Sequence, residues 1–367
     1  MINPSPDDVR HMVRALQLAK RGLYTTDPNP RVGCVIVRDG QVVGEGWHVR
    51  AGEPHAEVHA LAAAGQQTRG ATAYVSLEPC CHHGRTPPCS EALIKAGIAR
   101  VVAAMPDPNP RVASQGVAEL ERAGIRVDIG LLQAESERLN PGFIARMTHG
   151  RPYLRVKLAA SLDGRTALAN GESKWITGEA ARADVQRLRA RSSAILTGIG
   201  TVLADDPSLT VRDVEIGHQP LRVVVDPQLR MSPAARMLGL PGKTLVVAGE
   251  DRASDAGALR AAGADVFCLP VISDRMDLKL LLEQLAAREM NEVLVEAGAT
   301  LCGELLRAGL VDELVLYLAP HLLGSSARGL FDIPGLASMA DRVALDIQDV
   351  RAIGKDWRIT AKLLNST

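Results

Sequence analysis

EPCCHHGRTPPC, running from Glu78 to Cys89, sets three cysteines and two histidines within twelve residues. The apolar run before it, Ala73 to Leu77, reads as a strand, and Ser90 to Ala96 after it reads as a helix. Upstream, PHAEVHALAAAG predicts another helix over about His55 to Ala64. His55 and Cys89 therefore open helices, where the macrodipole stabilises the thiolate form that binds zinc. One imidazole and two thiolates, from His55, Cys80 and Cys89, leave the fourth tetrahedral position for water, the pattern of a catalytic site. Two thiolates also neutralise Zn²⁺, while the metal still lowers the pKa of bound water to about 7. Glu57, two residues after His55, is the natural base to take that proton and return it to a leaving amine.

Other ligand sets compete on this spacing. His59 lies four residues after His55 and could share its helix face, although a capping or packing histidine is the commoner case. Cys81 adjoins Cys80 and could replace it. A closed structural site is the plainer alternative, and it would require neither Glu57 nor an open coordination position.

The surrounding 367 residues are too many for one ordinary core and suggest two. Lys+Arg and Asp+Glu both total 42, so no long-range field gathers polyanions, which argues against nucleic-acid or membrane-surface partners. Aromatics are only 3%, so Ala, Val, Leu and Ile must fill the cores, as in layered α/β proteins. No basic leader or long apolar run is visible, and a cytosolic, reducing location is expected, with thiols rather than disulfides. Cys34, Cys268 and Cys302 fall inside apolar patterns and read as packing.

The first half alternates. A capped helix starts at Ser5; Val32 to Val37 and Gln41 to Trp47 form a hairpin about Asp39-Gly40; strands follow at Arg100 to Met105 and Ile125 to Ile129, with helices at Gln115 to Ala123 and Glu135 to Met147. That order implies one largely parallel sheet. Periodicity lapses at Thr148 to Pro152, so the boundary is placed between residues 1–148 and 149–367. Strands then recur at Tyr153 to Ala159, Ala194 to Thr197, Leu221 to Val225, Thr244 to Ala248, Val266 to Leu269, Val293 to Glu296 and Leu314 to Leu318. In that half, small residues follow a strand at Gly298-Ala299-Thr300-Leu301-Cys302-Gly303-Glu304, where backbone N–H groups could approach a pyrophosphate at a helix start. Thr197-Gly-Ile-Gly200-Thr201 begins like a dinucleotide turn but has Leu203 where the third glycine belongs.

H-x-E followed by P-C…C resembles the zinc-dependent cytidine deaminase superfamily, with the cysteines nine positions apart rather than three. PCCHHGRTPPC, with NPRVGCVI (Asn29 to Ile36), GEPHAEVHAL (Gly52 to Leu61) and DPNP (Asp107 to Pro110), resembles the deaminase half of the bifunctional riboflavin-biosynthesis deaminase/reductase family. SLDGR, ESKWIT, ADDPSLTVR, VEAG and LVDELVLYLAPHLLG resemble its reductase half in the same order.

The resemblance implies a cytidine-deaminase-like three-layer α/β domain followed by a dihydrofolate-reductase-like α/β domain. It implies zinc in the first, NADPH in the second, and a phosphorylated ribosylaminopyrimidine that is deaminated and then reduced at its sugar. In the family pattern a proline precedes the ligand, which favours Cys80 over Cys81. Arg85 and Thr86, inside the ligand loop, would hold the phosphate, and Asn29, His48, Asp107 and Asn109 would meet ring and sugar. Ser114-Gln115-Gly116 departs from the glycine-richer turn expected there.

In the reductase half, the resemblance assigns Ala159, Trp175, Thr201, Asp205 and Gly298 to Glu304 to the cofactor, and Ser173, Arg189, Leu209, Arg212 and Glu296 to the substrate. Opening the ribosylamine to an imine and reducing it at C1 requires a nearby acid or cation, for which Lys157 and Asp205 are the candidates. A homodimer or larger homo-oligomer is expected, with the LVDELVLYLAP strand pairing edges across the axis.

Overall fold

A computed structural model describes residues 4–82, 87–110, 114–272 and 275–364. The chain divides into two compact units, Met1–Arg151 and Pro152–Thr367. The expected break at 148/149 falls inside a helix, Pro141–His149, that ends only at Gly150, whose φ of 65° is the left-handed conformation glycine adopts without strain.

The first unit runs α1 (Pro6–Ala19), β1 (Gly33–Arg38), β2 (Gln41–Trp47), α2 (Ala56–Ala64), β3 (Thr72–Val75), α3 (Cys89–Lys95), β4 (Arg100–Ala103), α4 (Gln115–Arg122), β5 (Arg126–Ile129), α5 (Gln133–Leu139) and α6 (Pro141–His149). Its sheet has the order β2-β1-β3-β4-β5. β3, β4 and β5 are parallel, whereas β1 runs antiparallel to both its neighbours, so the sheet is more mixed than the alternation suggested. Met12, Ala15 and Leu16 of α1 pack on one face with Val35 and Val102, while Ala56 and Ala60 of α2 pack on the other with Cys34 and Ile36. The α2 backbone lies against β2 because Gly44 and Gly46 have no side chain; a Cβ there would meet Ala60 O at 2.2 Å and Ala56 O at 2.4 Å. The single helix expected from Glu135 to Met147 is two, since Pro141 lacks the N–H an unbroken helix needs and holds Asn140 out of helical geometry (φ −122°, ψ 38°).

The second unit contains β6 (Tyr153–Ser161), β7 (Arg165–Ala167), α7 (Glu179–Ala190), β8 (Ala194–Gly198), α8 (Ile199–Asp205), β9 (Leu221–Val225), β10 (Thr244–Gly249), α9 (Gly257–Ala261), β11 (Asp265–Leu269), β12 (Val271–Ile272), β13 (Arg275–Met276), α10 (Leu278–Ala287), β14 (Glu292–Val295), α11 (Ala299–Arg307), β15 (Glu313–Ala319), β16 (Arg328–Gly329), β17 (Leu345–Ile353) and β18 (Asp356–Leu363). The main sheet has the order β11-β10-β9-β8-β14-β6-β15-β18-β17. It is parallel from β11 to β15 and antiparallel where β15, β18 and β17 meet.

The expectation that LVDELVLYLAP forms an exposed edge is overturned. β15 pairs with β6 on one side and β18 on the other, and the C-terminal hairpin β17–β18, unread in the sequence, supplies the edge. Half-buried alternation marks a strand with one covered face and says nothing of whether its backbone is paired on both sides.

The parallel strands feed α8 and α11 from the C-terminal ends of the adjacent β8 and β14, the crevice where open α/β sheets bind ligands. Their opposite ends are closed by buried charge. Arg155 contacts Glu292 at 3.0 Å and Glu313 at 2.5 Å, and Arg191 adds a 3.0 Å contact to Glu292.

Candidate active sites

In the first unit, helix starts and strand ends converge. His55 is the N-cap of α2, Cys80 follows β3, and Cys89 is the first residue of α3. His55 Nδ1 lies 3.5 Å from Cys80 Sγ and 3.3 Å from Cys89 Sγ, and the Cys89 N–H donates to Cys80 Sγ at 3.4 Å. The ligand atoms of these three residues all lie within 4.8 Å of one another, an arrangement that could hold a metal ion. Among the described residues neither His59 nor Cys81 joins this group.

The hydrogen bond with Cys89 holds Cys80 well below the usual thiol range, while Cys89, sharing a proton with it and buried, is pushed up. Two sulfurs and an imidazole nitrogen are the donor set that zinc takes, and a divalent cation would displace the shared proton.

Glu57 is buried at 3% exposure, and its Oε2 has no hydrogen-bond partner among the described residues. Burial, reinforced by the charge of Cys80, pushes its carboxyl up to about 7. A buried carboxyl with an unpartnered oxygen is costly unless something else meets it, and here it stands beside the thiol pair. His48 packs edge-on to His55 with ring centroids 5.1 Å apart; its Nδ1 lies 3.2 Å from Pro54 O and its Nε2 3.0 Å from Asn29 Nδ2. Asn29 and His48 are thus brought to the same centre as His55.

Asp107 is buried, its carboxyl pushed up to about 6 by burial and by the charges of Glu78 and Cys80, and its Oδ1 accepts from Asn109 N–H at 2.8 Å. His83, Arg85 and Thr86 lie outside the described residues. Two groups that the sequence did not single out organise this site. Asn140 exchanges two hydrogen bonds with the Arg31 backbone, 2.8 and 3.0 Å, and so fixes the segment bearing Asn29. Glu78 accepts backbone N–H groups from Asp107, Ser114 and Val117. A carboxylate placed directly before the Pro-Cys pair was the available signal for Glu78; Asn140 had none, being 109 residues from its partner.

In the second unit, Arg189 grips Glu296 through Nε to Oε1 at 2.6 Å and Nη2 to Oε2 at 3.0 Å, and also donates to Thr210 O. Lys157 Nζ stands 3.8 Å from Glu296 Oε2. Burial alone would push Glu296 up, but the two cations outweigh it and hold it at about 2. Burial lowers Lys157 from the ordinary ammonium range. Thr197 Oγ1 donates to the Glu296 carbonyl, joining the ends of β8 and β14. Asp205 pairs with Lys174 at 3.1 Å, and Trp175 is 71% exposed with the Arg182 guanidinium 4.7 Å from its ring.

Gly298 caps α11, and among the described residues a Cβ built on Gly298 or Gly200 meets nothing within 4 Å beyond its own turn, so both turns leave open space at a helix start that suits a dinucleotide phosphate. The rest of that run is divided. Thr300 is exposed, Ala299 and Leu301 are half-buried, and Cys302 and Gly303 are buried. Cys302 donates to Ala297 O, Gly303 abuts Asp332 O, and Glu304 pairs with Arg275 and Arg307. Leu209 is a core side chain with φ 47°, which leaves only its backbone to offer a ligand. The Arg212 backbone N–H donates to Gln186, and its exposed side chain has no hydrogen bond or ion pair among the described residues. Ala159 and Thr201 are half-buried, as is Ser173.

Against known proteins, the model of the cytidine and deoxycytidylate deaminase zinc-binding region matches residues 5–105, and that of the RibD C-terminal domain matches residues 152–359. The riboflavin biosynthesis protein RibD of Escherichia coli (strain K12) is 54% identical over 362 residues, spanning 95% of this chain and 97% of the relative. RibD of Haemophilus influenzae is 48% identical across 98% of each. Among solved structures, Acinetobacter baumannii RibD, form 1, superposes with a TM-score of 0.91 at 48% identity, covering 98% of this chain and 99% of that one. A Thermotoga maritima diaminohydroxyphosphoribosylaminopyrimidine deaminase/5-amino-6-(5-phosphoribosylamino)uracil reductase gives 0.87 at 33% identity, with 98% and 99% coverage.

Proposed function

The chain belongs to the RibD family of bifunctional riboflavin-biosynthesis enzymes, and from that premise we propose which of its residues carry each half-reaction. It is a deaminase and a reductase, using zinc in the first activity and NADPH in the second. The substrate we assign is a diaminopyrimidinone bearing a ribosylamino phosphate, hydrolysed at an exocyclic amine and then reduced from ribosyl to ribityl.

His55, Cys80 and Cys89 would hold the zinc. When bound, it lowers the pKa of a water molecule toward neutrality. Glu57 stores and returns the proton, its position near neutrality letting it serve as base and then as acid to the departing amine. Asn29, hydrogen-bonded to His48, orients the ring, and Asp107 with Asn109 meets its polar edge. The observation that carries this reading is the unpartnered Oε2 of buried Glu57 beside three converging ligand atoms. Ammonia release measured with and without a chelator tests it; turnover that survives complete zinc removal overturns it.

For reduction, NADPH supplies the hydride. Gly298 to Glu304, with Ala159, Trp175 and Thr201, would hold the cofactor, the contact coming from the open turn rather than from buried Cys302. Lys157, next to Glu296, supplies the cationic group that favours the open imine, while Arg189, Glu296, Ser173, Arg212 and the Leu209 backbone hold the substrate. Asp205 stands by as the second acid. NADPH consumption on authentic deaminated substrate tests this half.

We also assign a homodimer joined through the C-terminal edge. Leu345, Ile347, Val350 and Trp357 of β17 and β18 are each at least 44% exposed, an apolar row at a sheet edge that is costly to leave in water. Sedimentation showing only monomer overturns this. A reducing, cytosolic location fits the requirement that Cys80 and Cys89 stay thiols. Among the described residues no helix is long and apolar enough to cross a membrane.

A further inference from the structure

Glu78 is 3% exposed, and among the described residues it makes no ion pair. Among the described residues its carboxylate is met by backbone N–H groups: Oε2 accepts from Asp107 N–H at 3.0 Å and Ser114 N–H at 3.2 Å, and Oε1 accepts from Val117 N–H at 3.2 Å. Those donors flank the DPNP loop and enter the first turn of α4, whose free N–H groups and dipole favour an anion. Glu78 itself hangs from the strand system through its own N–H to Met105 O at 3.0 Å, and it is followed by Pro79 and Cys80.

The same helix is seated by two further contacts. Gly116 has no room for a side chain, a Cβ there lying 2.1 Å from Pro79 O and 3.3 Å from Glu78 Oε1. Glu119 accepts from Ser90 Oγ at 2.7 Å, next to Cys89. Thus α4 is docked on the neighbours of both cysteine ligands, and Glu78 is the group that joins this frame to Asp107 and Asn109.

We propose that Glu78 is a positioning residue for deamination, one that sets the Asp107–Asn109 loop at its working distance from Cys80 through three backbone hydrogen bonds. This rests on the reading above that the loop meets the substrate. Glu57 and His55 are carried by α2 and Cys89 by α3, and Cys80, two residues from Glu78, is fixed from α3 by the Cys89 N–H on its Sγ at 3.4 Å and the Ser90 N–H on its carbonyl at 3.1 Å, contacts that Glu78 does not make. Loss of its carboxylate therefore loosens substrate binding more than it disturbs metal or proton transfer.

The test is Glu78→Gln in the full chain, read against zinc content, deaminase KM and kcat, and reductase activity as an internal control. Glutamine keeps the volume but turns an NH₂ donor toward one of the three N–H groups. The expected result is full zinc content, unchanged reductase activity, a kcat within about threefold, and a KM raised about tenfold, which corresponds to about 1.4 kcal/mol. An unchanged KM overturns the proposal, as does a fall in kcat that simply tracks zinc loss, since that is the mark of a purely structural support. Should the glutamine variant fail to fold, Glu78→Asp keeps the charge but cannot span all three donors and must show the same split. Asn109→Ala run alongside separates the premise from the proposal: if it leaves KM unchanged the loop does not face substrate, whereas a raised KM there with none in Glu78→Gln refutes Glu78 alone.

Discussion

Arg189 and Glu296 face each other in a two-pronged ion pair, 2.6 and 3.0 Å, at the C-terminal end of the reductase sheet, with Lys157 on the same carboxylate at 3.8 Å. Removing one partner of such a pair leaves the other charge uncompensated. Glu296→Gln should cost about 3 kcal/mol in chemical denaturation of the second unit. It should abolish NADPH consumption while ammonia release continues. Full retention of the reductase would remove Glu296 from the site.

The same pair sets a pH dependence. Glu296 is held at about 2 in the folded chain against an ordinary 4.5, so the unfolded chain binds the extra proton as acid is added. Its contribution is complete above about pH 5 and is lost as pH falls toward 2, amounting to about 3 kcal/mol in all. Denaturant midpoints across that window should fall more steeply for the parent than for Glu296→Gln. Parallel slopes would contradict the depressed value.

Glu57→Gln should keep the metal and lose deamination by about 100-fold or more, because the ligands are untouched and only the proton carrier is removed. Cys80→Ser and Cys89→Ser should instead lose zinc and activity together, while Cys81→Ser keeps both. Metal analysis alongside ammonia release distinguishes these cases. Zinc retained in Cys80→Ser and lost in Cys81→Ser would reverse the ligand assignment.

Gly298→Val is the sharpest probe of the cofactor turn. Among the described residues no atom beyond its chain neighbours lies within 4 Å of a Cβ placed there, and φ is −77°, so the fold should accept the side chain at a cost of about 1 kcal/mol for the poorer helix cap. The added bulk would occupy the space a pyrophosphate needs, raising KM for NADPH about tenfold or more. An unaltered KM would move the cofactor elsewhere.

Motif spacing made the chemistry legible. His55, Glu57, Cys80 and Cys89 could be picked out because metal chemistry restricts residue type and because each sits at an element boundary marked by proline or by a change of period. The Ser5 capping box, the Asp39-Gly40 hairpin and most strands were readable for the same local reason, each depending on residues within a few positions of one another. The break at Pro141 was equally local, and the apolar pattern running through it masked it.

What the sequence determined by itself was the list of chemical groups and the two α/β units that carry them, since both follow from side-chain type and short-range period. Tertiary structure alone decided the pairings across long separations: Glu78 with Ser114 and Val117, Asn140 with Arg31, Arg189 with Glu296, and β15 enclosed by β18. A buried carboxylate or an unpaired strand edge takes whichever partner the packed chain brings within 3 Å or so, and that proximity is a property of the whole fold rather than of any stretch of it.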